Sequence, residues 1–536
     1  MRTMISIDTH TVKQFLVTVG IVIILGAASP TARAQAERPN IIVIMADDLG
    51  FSDLGCYGGE IRTPNLDALA QNGLRFTQFY NAARCVPSRG SLLTGVYPHQ
   101  AGVGQMVSPG NRPGYRGRLV DRVVTLAEVL REGGYQTFVS GKWHVTHFDY
   151  ENAGPTLHKP TWPLQRGFDR FFGHLSGGGS YYDMVSLMKG NDFIESGEDF
   201  YLTDAINEHS EHFVREADAD APFFLYIAHY APHWPLHAFE ADIAKYDGVY
   251  HVGWDQIRQA RYQRLVELGI IDQNIALSER SDEIPAWGNA DHKEWEARRM
   301  AVHAAMVDRM DQGLGRVFAA LKETGRFDNT VIFFLSDNGA SAETIQGRRT
   351  RHGDFARGGT EPGVMPGPPD TYASFGQRWA NVSNTPFRKY KAWQHEGGVA
   401  TPLIAHWPKG IADRGALRHT PGHVIDFMPT VVELAGVTYP GQFNGHEILP
   451  MEGQSLVPVF AQDALDERPL FFEHFGKAAV RLGDWKLVKA GPSNPWELYN
   501  MSVDRTERNN LAAKHPERVE ALRVLWDQWA DRTFVR

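Results

Sequence analysis

The chain has 536 residues, of which 43% are hydrophobic and 22% charged, so it can bury one large core and a smaller one. Its formal net charge of −9 excludes nucleic-acid binding by bulk charge, and any anion must be recognised in a local basic pocket. The two cysteines, Cys56 and Cys85, lack the CxxC spacing that zinc and iron–sulfur sites use.

The N-terminus is typical of an export signal. Arg2 and Lys13 give the chain a basic start, and they precede an apolar run, Phe15–Ala28, that is too short to span a bilayer comfortably. Ala32-Arg33-Ala34 then fits a small-x-small cleavage site. We therefore predict a signal peptide over residues 1–34 and an exported mature protein, periplasmic or secreted, without a stable membrane anchor. An uncleaved anchor is the alternative.

Four continuous apolar runs predict strands that are buried on both faces of a sheet. They are Ile41–Ala46, Tyr135–Ser140, Pro222–Ala228 and Thr330–Leu335. Because helical patterns alternate with them, the sequence predicts an α/β fold with a large, mostly parallel sheet sandwiched by helices.

Three further segments are distinguished by their hydrophobic periodicity or their composition. Glu296–Thr324 is predicted to be a long amphipathic helix, and residues 239–295 are interpreted as an insertion with helices. Ala340–Pro386 is rich in Gly, Pro and Arg without a clear period, as expected of a functional or disordered loop. After about residue 440 the pattern changes to short antiparallel strands and a closing helix, which predicts a small α+β subdomain over 441–536 beside a main domain over 35–440.

Polar side chains follow all four predicted strands at their carboxyl ends, where open α/β sheets bind ligands. The oxygen donors among the candidates suit a hard cation such as Ca²⁺ or Mg²⁺, and the cationic groups suit an oxyanion such as sulfate or phosphate. The donors are Asp47, Asp48, Asp337 and Asn338, and the cationic groups are Arg89, Lys142, His144, His233 and Lys391. A purely structural Ca²⁺ site is the alternative, although it would not need the lysines.

The segment Cys85–Gly95 is interpreted as a short helix that begins near Pro87 and stops at Gly95. Cys85 then lies near the helix N-terminus, where free amides and Arg89 favour an anion. From this segment alone, a buried structural cysteine beside a loop is an equally good interpretation.

The same residues carry a family resemblance. Cys85-Val86-Pro87-Ser88-Arg89 followed by Leu93-Thr94-Gly95 matches the signature C-x-P-S-R-x-x-x-L-T-G, and Gly141-Lys142-Trp143-His144 matches a second signature. The chain thus resembles the type I sulfatases of the alkaline phosphatase superfamily, and among them the bacterial arylsulfatases. Further family positions follow in the right order: Ala46–Gly50, Ala231–Pro235, Ser336–Gly339 and Lys391 before Glu396-Gly397-Gly398.

The resemblance implies a nucleophile, a metal and a set of roles. Cys85 is expected to be oxidised to formylglycine (3-oxoalanine) by a separate maturation enzyme, and the aldehyde hydrate then attacks sulfur. Ca²⁺ is expected to be bound by Asp47, Asp48, Asp337, Asn338 and the modified Cys85. Arg89 is expected to stabilise the hydrate, and Asp337 to take the attacking proton. Lys142, His233 and Lys391 would bind the sulfate oxygens, either His233 or Lys391 would protonate the leaving alcohol, and His144 would assist breakdown of the sulfated intermediate.

The expected activity is therefore hydrolysis of a sulfate monoester, with a small aryl sulfate or a sulfated glycan as substrate. Two alternatives stay open from the sequence. One is a phosphonate or phosphodiester hydrolase of the same superfamily, which shares most of these residues. The other is an inactive sulfoglycan-binding protein in which Cys85 remains a thiol.

Overall fold

An 11-stranded mixed sheet forms the centre of the protein in a computed structural model that describes residues 38–147, 159–345 and 361–536. The strand order is β10-β2-β9-β8-β1-β7-β3-β4-β5-β6, with β11 beside β2. The strands are β1 (Asn40–Ala46), β2 (Leu74–Tyr80), β3 (Gln136–Lys142), β4 (Arg170–His174), β5 (Leu187–Lys189), β6 (Asp192–Phe193), β7 (Phe223–Ala228), β8 (Thr330–Ser336), β9 (Ala400–His406), β10 (Leu417–Arg418) and β11 (Gly422–His423).

The middle of this sheet is parallel. Strands β8, β1, β7, β3 and β4 are hydrogen-bonded neighbours that all run in one direction, so their carboxyl ends share one edge. The four predicted strands are all present in this group, with ends within two residues of the prediction. Strand β9 runs antiparallel to both β8 and β2, which makes the sheet mixed. The predicted α/β fold class is confirmed.

The helices are α1 (Pro64–Gln71), α2 (Cys85–Thr94), α3 (Leu126–Glu132), α4 (Leu202–Glu216), α5 (Glu240–Ile243), α6 (Trp254–Glu267), α7 (Lys293–Glu323), α8 (Gly376–Ser383), α9 (Glu396–Val399), α10 (Phe427–Ala435) and α11 (Pro516–Arg532). Helices α5 and α6 lie in the predicted insertion, and α7 is the predicted long helix. None of the helices in the described ranges is long and apolar enough to cross a membrane.

The helices cover both faces of the sheet because successive side chains of a strand point to opposite sides. In β1, Ile42 and Ile44 pack into one apolar cluster with α1, α4 and α7. Ile41, Val43 and Met45 pack into a second cluster with α2, α3 and α10. The sheet is thus buried on both faces, and polar groups are left to the strand ends.

The C-terminal part contains a four-stranded antiparallel sheet in the order β14-β15-β16-β17. One face of it packs on α11, and the other contributes Phe472, Ala479 and Val488 to the main core. Its strands are β14 (Leu470–His474), β15 (Lys477–Leu482), β16 (Trp485–Lys489) and β17 (Trp496–Asn500), preceded by a small hairpin, β12 (Gln442–Phe443) and β13 (His446–Glu447). The predicted boundary near residue 440 stays a prediction, and the predicted signal peptide lies outside the described residues.

Two details differ from the sequence-based expectations. Helix α2 begins at Cys85 itself, two residues before Pro87, and ends as predicted at Gly95, whose φ is 71°. The stretch Ala340–Pro386 is not wholly irregular, because α8 lies within it; residues 346–360 of this stretch lie outside the described ranges.

Candidate active site

Carboxylates meet where β1 and β8 end. The backbone N–H of Asp48 donates to Asp337 Oδ1 at 3.3 Å, and Asn338 Nδ2 donates to Asp48 Oδ1 at 2.6 Å. The register is fixed by the backbone, since the N–H of Asp337 donates to Ala46 O at 3.1 Å. Asp48 takes a left-handed conformation with φ 64°, which the two strand ends stabilise from both sides.

A cation accompanies each carboxylate. Lys142 Nζ lies 2.5 Å from Asp47 Oδ2, Lys391 Nζ lies 2.8 Å from Asp48 Oδ1, and Arg89 Nε donates to Asp337 Oδ2 at 3.0 Å. All six side chains are buried. Charges buried in this way are tolerable only when they neutralise one another, so the sequence-predicted donors and cations form one connected site.

Cys85 lies at the N-terminus of α2 and is 2% exposed. Burial raises the pKa of its thiol, while the charges of Lys142 and Lys391 oppose that shift. A thiol with a raised pKa is mostly protonated at neutral pH, and the protonated form is a poor nucleophile. The unmodified Cys85 side chain is therefore in the right place but in an unreactive form.

The carboxyl groups of Asp47 and Asp337 have very different pKa values. Burial disfavours the charge on Asp47, but Lys142, His233 and Arg89 together hold the pKa of that carboxyl well below its usual range. Burial and the neighbouring Asp47 charge raise the pKa of Asp337 to about 7. One member of the pair thus stays ionised while the other is able to hold a proton near neutral pH.

The two histidines occupy different environments. His233 Nδ1 lies 2.6 Å from the carbonyl of Trp234, which only accepts hydrogen bonds, so Nδ1 carries the proton and Nε2 faces Asp48 Oδ2 at 3.6 Å. Burial lowers the pKa of His233 to about 4. Burial, Lys142 and Arg89 also hold the pKa of His144 well below its usual range, and neither ring nitrogen of His144 has a hydrogen-bond partner within the described ranges.

The donor set fits a hard cation. One ligand atom each from Asp47, Asp48 and His233 lies within 4.8 Å of the others. Asp47 Oδ1 and Asn338 Oδ1 are buried, and no hydrogen-bond partner for them exists in the described part of the chain. A buried oxygen without a partner is costly, and a divalent cation would satisfy both. His233 enters this group although the sequence assigned it to the anion, and the ligand role of Cys85 stays a prediction.

Three neighbours of the site were not predicted from the sequence. Glu343 lies in the predicted irregular stretch, where no period or motif marks it, yet it is 3.4 Å from Lys391 Nζ. Arg84 and Trp234 both contact Glu343, at 2.8 Å and 2.9 Å. The available signals were adjacency, because Arg84 precedes Cys85, and for Trp234 its place in the family-like segment Ala231–Pro235.

The carboxyl edge of the parallel strands carries buried carboxylates paired with buried cations, which indicates a class of proteins that bind a hard cation together with an oxyanion. Comparison with known proteins narrows the class. The Sulfatase family model matches residues 39–437, so the chain belongs to the sulfatase family, whose members hydrolyse sulfate esters. A second model, for the C-terminal region of N-sulphoglucosamine sulphohydrolase, matches residues 388–531.

Individual relatives agree with this assignment. An arylsulfatase of Klebsiella aerogenes is 35% identical over 441 residues, covering 79% of this chain and 92% of the relative. An uncharacterized sulfatase of Schizosaccharomyces pombe is 34% identical over 540 residues, covering 92% of this chain and 94% of the relative. The solved structure of Ps i-CgsB in complex with k-i-k-neocarrahexaose has a TM-score of 0.66 and 26% identity, covering 92% of this chain and 93% of that one.

Proposed function

We propose that the protein is a formylglycine-dependent, Ca²⁺-requiring sulfatase that converts sulfate monoesters to an alcohol and inorganic sulfate. The observation that supports this most directly is the matched set of three buried carboxylates and three buried cations around Cys85. Because these charges balance one another, a bound divalent cation would make the site positive and attractive to a sulfate ester.

The cation would be held by Asp47, Asp48, Asp337, Asn338 and the modified residue 85. The unsatisfied oxygens of Asp47 and Asn338 support this assignment. Once bound, Ca²⁺ supplies a Lewis acid that polarises the sulfate and lowers the pKa of the nucleophilic hydroxyl.

The nucleophile in this proposal derives from Cys85. A maturation enzyme oxidises it to formylglycine and reads Pro87 and Arg89 as part of its recognition sequence. The hydrated aldehyde supplies one hydroxyl that attacks sulfur and a second that permits sulfate to be expelled. The raised pKa of the buried thiol supports the modification, since an unmodified Cys85 would be a weak nucleophile. Arg89 stabilises the hydrate, and Asp337 takes the proton of the attacking hydroxyl.

Lys142 and Lys391 bind the sulfate oxygens, and His233 joins them only when its Nε2 is also protonated. An ammonium group has three donors, and Lys142 uses two of them, on Asp47 and on the carbonyl of Gly177. One donor is left for the substrate. A neutral His233 ring has its proton on Nδ1 and none to give at Nε2, which favours Lys391 as the donor of a proton to the leaving alcohol. His144, with both ring nitrogens unengaged among the described residues, assists release of sulfate.

The proposal includes export through the predicted signal peptide, to the periplasm or the medium. The substrate is an aryl sulfate or a sulfated glycan. The likeness to the Klebsiella aerogenes arylsulfatase supports the first, and the likeness to a protein solved with a neocarrahexaose supports the second.

The proposal is tested by measuring sulfate release from 4-nitrophenyl sulfate with the matured, Ca²⁺-loaded protein. Cys85→Ala is expected to abolish turnover because it removes the nucleophile. Cys56→Ala is the matched control, since Cys56 is the other cysteine in the chain and is also buried. Full activity of Cys85→Ala would overturn the proposed mechanism.

A further inference from the structure

Three side chains form a rim beside the proposed sulfate site. Arg84 NH2 is 2.8 Å from Glu343 Oε1, and Trp234 Nε1 donates to Glu343 Oε2 at 2.9 Å. The side chains of Arg84 and Glu343 are 20% and 30% exposed, whereas Lys391 behind them is almost fully buried. The rim, defined as Arg84, Trp234 and Glu343, thus connects the buried charges with solvent.

The carboxylate of Glu343 is held in one position. Ser374 Oγ donates to its backbone carbonyl at 2.7 Å, and Ser341 Oγ donates to Oε2 at 3.2 Å. Lys391 Nζ lies 3.4 Å from the same Oε2. A carboxylate fixed in this way has lost its conformational entropy before a ligand arrives, which favours binding.

The rim retains capacity for hydrogen bonds. A guanidinium has five N–H donors, and the described contacts of Arg84 use one nitrogen, NH2, on Glu343. Arg84 Nε is buried and has no hydrogen-bond partner in the described ranges, which leaves the terminal nitrogens of Arg84 to meet a ligand. On the acceptor side, Glu343 Oε1 receives only the Arg84 donor among the described hydrogen bonds, and a carboxylate oxygen accepts two.

The position of the rim determines which part of a substrate it meets. In the proposed binding mode, Lys142, Lys391 and residue 85 hold the sulfate, and the ester oxygen points away from the buried carboxylates towards Lys391. Glu343 is a partly exposed charged group that lies 3.4 Å from Lys391, and Arg84 and Trp234 both contact it. An acceptor, a donor and an aromatic ring side by side are suited to hydroxyl groups on a saturated ring whose face lies on the indole.

On the basis of the proposed function, we propose that Arg84, Trp234 and Glu343 form the leaving-group subsite and that this subsite takes a sugar ring. Glu343 accepts a hydrogen bond from a hydroxyl group adjacent to the sulfate ester, Arg84 donates to a second ring oxygen, and Trp234 contacts the ring face. A flat aryl group makes only the contact with Trp234, because it has no hydroxyl groups for Glu343 and Arg84. The natural substrate is accordingly a carbohydrate sulfate.

The test compares kcat/KM for 4-nitrophenyl sulfate with kcat/KM for a panel of hexoses that each carry one sulfate on a different hydroxyl. Glu343→Gln removes the charge and keeps the shape. It is expected to lower the sugar-to-aryl ratio of kcat/KM roughly 10–100-fold, the loss of one hydrogen bond to a charged group. Trp234→Phe keeps a ring but removes the donor to Glu343, and it is expected to lower the ratio less.

Glu216→Gln is the matched control. Glu216 forms a surface pair with Arg170 at 2.6 Å, where β4 begins, at the edge of the sheet opposite the site. This variant is expected to leave the ratio unchanged. An equal loss on both substrates in Glu343→Gln would overturn the inference, because Glu343 would then act only through Lys391.

The wild-type protein separates this inference from the function on which it rests. Turnover of 4-nitrophenyl sulfate without turnover of any hexose sulfate would overturn the sugar subsite and leave the sulfatase proposal intact. Turnover of neither class by matured, Ca²⁺-loaded protein would overturn the proposed function and the subsite with it.

Discussion

Replacement of Lys142 by alanine removes one of the two fully buried cations of the site. Lys142 is fully buried, and its Nζ contacts Asp47 Oδ2 at 2.5 Å and Gly177 O at 2.7 Å. In Lys142→Ala, Asp47 keeps Arg89 NH2 at 3.5 Å as its nearest cation. Loss of one donor to the developing charge is expected to lower kcat about 10²–10³-fold. Breaking the buried pair is expected to cost about 3–5 kcal/mol of stability without a metal.

The assay measures kcat and KM on 4-nitrophenyl sulfate and the free energy of unfolding with Ca²⁺ and with a chelator. Lys245→Ala is the matched control, because Lys245 also pairs with an aspartate, Asp242, at 2.8 Å, but is 29% exposed. Lys245 also lies 3.3 Å from Asp308 and is outside the site, so kcat should not change in this control. Wild-type kcat in a folded Lys142→Ala protein would refute the role of the buried cation.

Three further predictions concern the metal, the substrate and the C-terminal sheet. Chelation of divalent cations is expected to abolish turnover and to lower the Tm, because Asp47 and Asp48 lose the cation that both of them bind. Added Ca²⁺ should restore the turnover and the Tm. Turnover of an aryl sulfate is expected to exceed that of the matched aryl phosphate diester. Lys486→Met is expected to cost about 3–5 kcal/mol in denaturant unfolding, since Lys486 lies between the buried Glu396 and Glu507 at 2.8 Å and 2.9 Å.

Each of these has an outcome that contradicts it. Full activity after exhaustive chelation would exclude a catalytic metal at the strand-end carboxylates. A higher kcat/KM for the phosphate diester would favour the related phosphodiester hydrolases. An unchanged unfolding free energy of Lys486→Met would mean that Glu396 and Glu507 are neutralised without it.

The parallel centre of the sheet was predictable because its strands are continuous apolar runs. Strand β1 is buried along its whole length, as expected of an apolar, β-branched segment in the middle of a parallel sheet. Strand β2, with sequence LRFTQFY, was not predicted, since it mixes polar and apolar residues and its pairing with β9 shifts register between Phe76 and Phe79. The antiparallel direction of β9 also has no local signal.

The residues of the site also fall into a predictable group and an unpredictable one. Asp47 and Asp337 directly follow buried strands and Lys142 ends another, so the topology of the sheet alone brings them together. Glu343 is different, because its contact with Arg84 joins positions 259 residues apart and depends on how an irregular segment folds back over α2. Local pattern carries no information about such a contact, and only the folded chain places it.

Residue 85 is proposed to be formylglycine, and no longer cysteine, in the active protein. The most direct measurement is the mass of the proteolytic peptide that contains residue 85, taken from protein whose sulfate release has been measured. We predict the mass of the formylglycine form, in a proportion that rises with specific activity across preparations. A peptide that carries an intact Cys85 thiol in fully active protein would contradict the account.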